Sequence, residues 1–128
     1  MIKLIAKTFG INKYKMVLIV RTDLRMNAGK IGSQCAHAAV DLYRQALNNQ
    51  TIGLKQWSFL GQPKIVLKVN SENDLLEIHK AAQVKNMNTC LVYDAGKTVV
   101  DEGTLTVMGI GPHEESEIDS LTKHLKLL

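Results

Sequence analysis

The chain has 128 residues, 45% of them hydrophobic and 22% charged, which is enough for one compact domain and too few for two. A domain of this size buries enough surface to fold without disulfides or a structural metal, so a stapled mini-protein is excluded. No apolar run nears the ~20 residues that span a bilayer, and 9 Gly with 2 Pro leave no collagenous or low-complexity tract.

The net charge of +4 is unevenly placed. Residues 1–64 carry ten Lys/Arg against two acids, Asp23 and Asp41, whereas residues 65–128 carry six against ten, with a cluster at Glu114, Glu115, Glu117 and Asp119. A polyanionic partner is therefore expected on the first half. Cys35 and Cys90 are far apart and form no CxxC pair, so two reduced, buried thiols are expected rather than a zinc ribbon or a dithiol site. In the opening segment Met1–Lys7, Lys7 breaks the apolar run before a signal-peptide core forms, and the Arg and Ser of a transit peptide are missing, which predicts a cytoplasmic protein. Residues 1–14 read as a basic N-terminal extension and 15–128 as a single domain.

In chain order, Lys15–Asp23 is a Val- and Ile-rich apolar run, the pattern of a central strand buried on both faces. From Lys30 to about Leu47 apolar residues recur at helical spacing, after a loop at Asn27-Ala28-Gly29. A short helix over Thr51–Leu60 is expected to turn Trp57 and Phe59 inward and to stop at Gly61-Gln62-Pro63. Lys64–Asn70 is a second strand. Ser71 then caps a helix, with Asp74 as capping-box partner, running through Leu75, Leu76, Ile78, Ala81 and Ala82 to about Asn86. Thr89–Tyr93 and Thr104–Ile110 are two further strands, joined by a polar link too long for a tight hairpin. After Gly109-Ile110-Gly111-Pro112 a last helix begins near Ser116 and buries Ile118, Leu121 and Leu125. The order β-α-α-β-α-β-β-α predicts an α/β fold, a three-layer α/β/α arrangement around a four-stranded mixed sheet.

At about 100° per residue, Lys30, Gln34, His37 and Asp41 share a stripe about 60° wide, while Ile31, Cys35, Ala38, Ala39, Leu42, Tyr43 and Ala46 fill the other side. A stripe of this kind is usually only a solvated face. An ammonium, an amide and an imidazole close to a helix N-terminus nevertheless combine charge stabilisation, orientation and proton transfer. Cys35 and His37 point about 200° apart, which excludes a Cys–His nucleophile. Ser33 lies four residues before His37 but not in a G-x-S-x-G elbow, so a serine esterase is the weaker reading. The four His form no HExxH or close carboxylate cluster, and no metal or cofactor site is expected. Gly109-x-Gly111 lacks the third Gly of a dinucleotide fingerprint, Gly29-Lys30 is followed by Ile31, and both read as turns. Asp94-Ala95-Gly96-Lys97-Thr98 follows a strand, where open α/β sheets place ligands. The structural alternative there is a turn, with Asp94 bound to nearby backbone N–H groups and Gly96 at positive φ.

Six separated motifs stand in register: Val20-Arg21-Thr22-Asp23-Leu24-x-Met26, Gly29-Lys30-x-x-x-Gln34-Cys35-x-His37-Ala38-Ala39, Gly61-Gln62-x-Lys64-x-Val66-Leu67-Lys68, Asp94-Ala95-Gly96-x-Thr98, Gly103-Thr104-x-Thr106-Val107 and Ile110-Gly111-Pro112, with His124-Leu125-Lys126-Leu127-Leu128 closing the chain. Together they resemble the archaeal and eukaryotic type of peptidyl-tRNA hydrolase from about Lys15 to Leu128. The resemblance implies a homodimer, free of metal and cofactor, that cleaves the ester joining a peptide to the terminal ribose of tRNA. It implies peptidyl-tRNA as partner, with no membrane and no DNA involved. By motif, the implied catalytic positions are Lys30, Gln34, His37, Asp94 and Thr98, and the tRNA-binding positions are Arg21, Thr22, Arg25, Lys97 and Thr106. Either His37 or Asp94 could activate the water. Lys97 and Val99 stand where family members commonly have Arg and Gln, and Asn27-Ala28 where they have a Gly-Lys or similar pair. Lys97 cannot make the planar two-point phosphate contact of Arg. The opposed reading is a catalytically silent dimeric RNA-binding module of the same fold.

Overall fold

The computed structural model describes residues 12–96, 101 and 103–128, so most of the 1–14 segment, and Lys97 and Thr98 in the loop after Asp94, lie outside the described residues. The first strand, β1 (Tyr14–Arg21), explains its own unbroken apolar run. Met16, Leu18 and Val20 enter a core on one face of the sheet, and Val17 and Ile19 enter a second core on the other.

Around β1, strand β2 (Lys64–Val69) pairs parallel on one side, and β4 (Leu105–Glu114) pairs antiparallel on the other. Strand β3 (Thr89–Tyr93) lies antiparallel outside β4. The sheet has five strands rather than the expected four, in the order β3-β4-β1-β2-β5. The additional strand is β5 (Lys126–Leu127), which pairs antiparallel with β2. Two residues carry no readable period-2 pattern, so only the pairing reveals this edge.

Helices α1 (Ala28–Asn48) and α2 (Leu54–Phe59) pack on one face, contributing Cys35, Ala38, Leu42, Ala46, Leu54 and Trp57 to its core. Helices α3 (Glu72–Val84) and α4 (Glu115–Thr122) cover the other with Leu75, Ile78, Ala82 and Ile118. Ser71 caps α3 as expected, its Oγ accepting from Asp74 N at 3.0 Å.

Several boundaries and faces differ from the expectation. Helix α1 begins before Lys30 because Asn27 is its cap, the side chain accepting from Lys30 N at 2.8 Å; Gly29 is therefore helical and not a turn. Gly109 and Gly111 also lie inside an element, since β4 continues to Glu114. A Cβ on Gly109 would stand 2.6 Å from Leu42 Cδ1, so the glycine lets α1 lie close on the sheet. Trp57 is buried, but Phe59 is 77% exposed, because two residues along a helix is about 200° around it and six residues present only one face. Tyr43, expected on the apolar side, reaches solvent as well, about 100° around the helix from buried Leu42. Leu125 lies past the end of α4 and packs against the second core only in part.

Candidate active site

The stripe on α1 adjoins the buried arc of the helix instead of opposing it, so its members have different depths. Gln34 is buried, Lys30 and Asp41 are half-buried, and His37 is exposed. All four line one cleft of about 510 Å³ with Ser33 and the end of β3, Leu91 to Ala95. The helix and the strand end, expected separately as sites, therefore meet.

Their junction is an ion pair between Lys30 Nζ and Asp94 Oδ1, with only 11% of the lysine and 1% of the aspartate side chain exposed. Asp94 Oδ2 accepts from Gly96 N at 2.7 Å, with Gly96 at φ 82°. The expected turn is thus present, made by one carboxylate oxygen, while the other pairs with Lys30. The backbone of Asp94 is clamped as well, its N donating to Thr104 O and its O accepting from Gly103 N, both at 2.8 Å. The hydrogen bond from Lys30 holds the Asp94 carboxyl below the usual carboxylate range, against the opposing effect of burial and with help from Gly96 N. Asp94 is accordingly a fixed anion at neutral pH.

Gln34 is held by a residue that the alternation of β4 would place on the wrong face. Val92 pairs with Val107 but Tyr93 pairs with Leu105, so Thr106 is an extra residue, a bulge. The bulge turns Thr106 toward α1, while Leu105 enters the core under α3. The single hydroxyl hydrogen of Thr106 goes to Val92 O at 3.2 Å, so toward Gln34 it accepts, from Nε2 at 2.7 Å. This fixes the amide orientation and leaves Oε1 as the acceptor available to a ligand.

The remaining expected positions divide. Thr106 is fully buried. Arg21 is also buried, its guanidinium donating to Asp23 at 2.7 and 3.1 Å and to Leu105 O at 2.9 Å; the hydrogen bond from Arg21 lowers the Asp23 pKa. Thr22 Oγ1 donates to Val69 O at 3.0 Å. Arg25 is exposed, at φ 53°, in a turn closed by its N–H on Thr22 O. Lys97 and Thr98 are outside the described residues. Sequence reasoning missed Tyr93, 56% exposed on the cleft, and the capping role of Asn27. The Asn side chain before a helical run was the available signal for the second; nothing in the pattern marked the first.

Burial raises the pKa of both thiols, that of Cys90 to about 12, so neither is an activated nucleophile. Among the described residues no three of His, Cys, Asp and Glu cluster as a metal site would need, and no helix is long and apolar enough to cross a membrane.

Fold and cleft define a small α/β domain with an ion-paired polar cleft at the carboxyl end of a strand. A sequence model of the family Peptidyl-tRNA hydrolase PTH2 matches residues 14–128, and the chain belongs to that family. It is 44% identical over 115 residues to a mouse protein named peptidyl-tRNA hydrolase 2, mitochondrial, covering 90% of this chain and 64% of that one. A Saccharolobus solfataricus peptidyl-tRNA hydrolase is 44% identical over 118 residues, covering 89% of this chain and 98% of its own length. One from Methanococcus vannielii is 42% identical over 115 residues, covering 90% and 99%. The chain thus spans less than two thirds of the mouse relative and nearly all of the archaeal ones.

Proposed function

We propose that this chain hydrolyses the ester bond between peptide and tRNA in peptidyl-tRNA, releasing the tRNA for reuse. The observation that carries the reading is the buried Lys30–Asp94 pair at the cleft that His37 also lines, in a chain of the peptidyl-tRNA hydrolase family.

Ester hydrolysis needs an activated water and a donor for the oxyanion. Lys30 spends one of its three donors on Asp94 and has others to offer the carbonyl oxygen. Asp94, with both oxygens engaged and its pKa lowered, is a poor proton acceptor, suited to fixing the ammonium and orienting the water. That assigns proton transfer to the imidazole of His37. Gln34 Oε1 accepts from the water or a ribose hydroxyl, with Thr106 acting through Gln34. Thr98 completes the proposed set. We assign tRNA contact to Arg25 and Lys97. Arg21 and Thr22, tied to Asp23, Leu105 O and Val69 O, set the path of the segment that carries Arg25. The domain proper is assigned to residues 15–128, with 1–14 as a basic extension, and the nucleic acid is RNA, not DNA.

We further propose that the enzyme needs no metal and works in the cytoplasm as a homodimer. The apolar groove on α1 lined by Val40, Tyr43 and Leu47 beside Trp57 supports self-association. Sedimentation equilibrium tests the dimer, and cell fractionation tests the compartment, where the name of the mouse relative points to mitochondria.

The decisive experiment is release of intact tRNA from purified peptidyl-tRNA. Turnover that persists in EDTA and is far slower on free aminoacyl-tRNA is expected. Equal rates on both, or activity abolished by EDTA and restored by zinc, would overturn the reading. An acyl-enzyme trapped at Ser33 would make the chain a serine esterase instead.

A further inference from the structure

Two sequence motifs have no part in the cleft: the strand Lys64-x-Val66-Leu67-Lys68 and the chain end His124-Leu125-Lys126-Leu127-Leu128. The fold brings them together as β2 and β5. Lys68 and Lys126 are direct cross-strand partners, so their side chains leave the same face of the sheet. By strand alternation Lys64 shares that face.

It is the face that α1 and α2 cover elsewhere, since Val66 packs against their core and Lys64 Nζ lies 5.2 Å from the centre of the Trp57 ring. Past Val66, over Lys68 and β5, the covering stops. Lys64, Lys68, Lys126 and Leu128 are exposed, whereas on the other side of β2 Leu67 and Val69 are buried by α3. None of the three lysines has a carboxylate within ion-pair distance among the described residues. Two acids of α3, Asp74 and Glu77, share with Lys68 and Lys126 the groove at the strand end.

Like charges directly opposite each other in an antiparallel pair are unfavourable. A two-residue edge strand that sets its ammonium group opposite that of Lys68 on β2 is poorly arranged for stability and well arranged for an anion bridging the two. Lys68 lies at the same end of the sheet as the cleft, since across the strands Lys68 pairs with Val20, Val20 with Val107 and Val107 with Val92, two residues before Asp94. Lys68 is paired with Val20, one residue before Arg21, and the segment that follows carries Arg25 and leads through Asn27 into α1 and Lys30.

We propose that the uncovered β2–β5 face, through Lys68 and Lys126 with Lys64 beside them, binds the phosphodiester backbone of the tRNA and leads it toward the cleft. This rests on the tRNA substrate proposed above and adds the surface that holds it. A polyanion suits Lys68 and Lys126, which among the described residues face no carboxylate within ion-pair distance, with Lys64 beside them held on Gln62 O and the Trp57 ring, and each phosphate neutralised releases counterions, so salt dependence is the signature.

The test measures binding of deacylated tRNA to the full chain across a salt series. Lys68→Ala and Lys126→Ala are each expected to weaken binding roughly three- to tenfold at 0.1 M salt and to lower the salt slope by about one. The double variant should lower it by about two, and Lys80→Ala, on α3 across the sheet, should lower it by nothing. Lys68→Arg with Lys126→Arg should retain the slope, which separates loss of charge from loss of fold. An unchanged slope in the double alanine variant, equal losses with Lys80→Ala, or failure of the arginine pair to bind would each overturn the proposal. So would a change of oligomeric state with the slope intact, which would give the face to a second copy. Because deacylated tRNA needs no turnover, a chain that binds through these lysines yet hydrolyses nothing would fail the proposed activity and keep this surface. One that hydrolyses with an unaltered slope would do the reverse.

Discussion

The groove at the C-terminal end of α1 and the cleft along its N-terminal half differ in size and in what their polar groups do. The groove is larger, about 840 Å³, and is lined by Asn49, Gln50, Asn86, Asn88, His113 and Glu117 among others. The side-chain hydrogen bonds of Asn88 there tie α1 and β4 to the start of β3. Asn88 donates to Leu42 O at 2.9 Å and to Gly111 O at 2.8 Å and accepts from Gln45 at 3.2 Å. The contact between His113 and Glu117 there is an exposed pair one turn apart. The smaller cleft holds a desolvated ion pair and an amide whose orientation is dictated from behind. Space alone therefore does not single out a candidate site; the buried ion pair is what sets the cleft apart.

The largest contrast is expected from substitutions that remove a reacting group. Lys30→Ala, His37→Ala and Asp94→Ala should each lower kcat by ~10²–10⁴ while tRNA affinity changes far less. The double variant His37→Ala/Asp94→Ala should be little worse than the worse single, because groups serving one transition state are not additive. Additive losses seen only as a raised KM would make the cleft a binding surface like any other and dissolve the comparison.

Next comes the support behind Gln34. Thr106→Val removes the acceptor of a buried amide and should cost ~1–3 kcal/mol in urea unfolding, together with a fall in kcat that Thr106→Ser restores. Restored stability without restored turnover would separate the bulge from catalysis.

The acid limb of stability should also distinguish the two regions. The folded pKa of Asp94 lies below its unfolded value, so its contribution is present above the ordinary carboxylate range and is lost as pH falls through the lowered folded value. Asp94→Asn should flatten that limb in a series of thermal midpoints against pH. The smallest effect belongs to the groove: His113→Ala, which removes an exposed pair, should change stability by about 0.5 kcal/mol or less and leave turnover intact. A marked loss of turnover there would show the two hollows to be coupled.

Much of the framework was legible without coordinates, because it rests on patterns local in the chain. The double-sided burial of β1 shows as an apolar run, α1 as a period near 3.6, and the Ser71 cap as a side-chain type three residues from its donor. The cleft was legible in its parts, Lys30, Gln34 and His37 on one helix and Asp94 at a strand end, since each lies where chemistry commonly sits. Phe59 and Tyr43 were misplaced because hydrophobicity does not say which side of a short or amphipathic helix has a neighbour.

The sequence by itself determined every element but the two-residue β5, the two buried thiols and which residue types could react. Only the tertiary structure decided the relations between distant segments: that Lys30 meets Asp94, that a slip in register turns Thr106 toward Gln34, and that a two-residue strand sets Lys126 opposite Lys68. The physical reason is range. Helix and strand periodicity are properties of neighbours, whereas pairing register and the burial of a charge depend on segments that become neighbours only when the sheet closes.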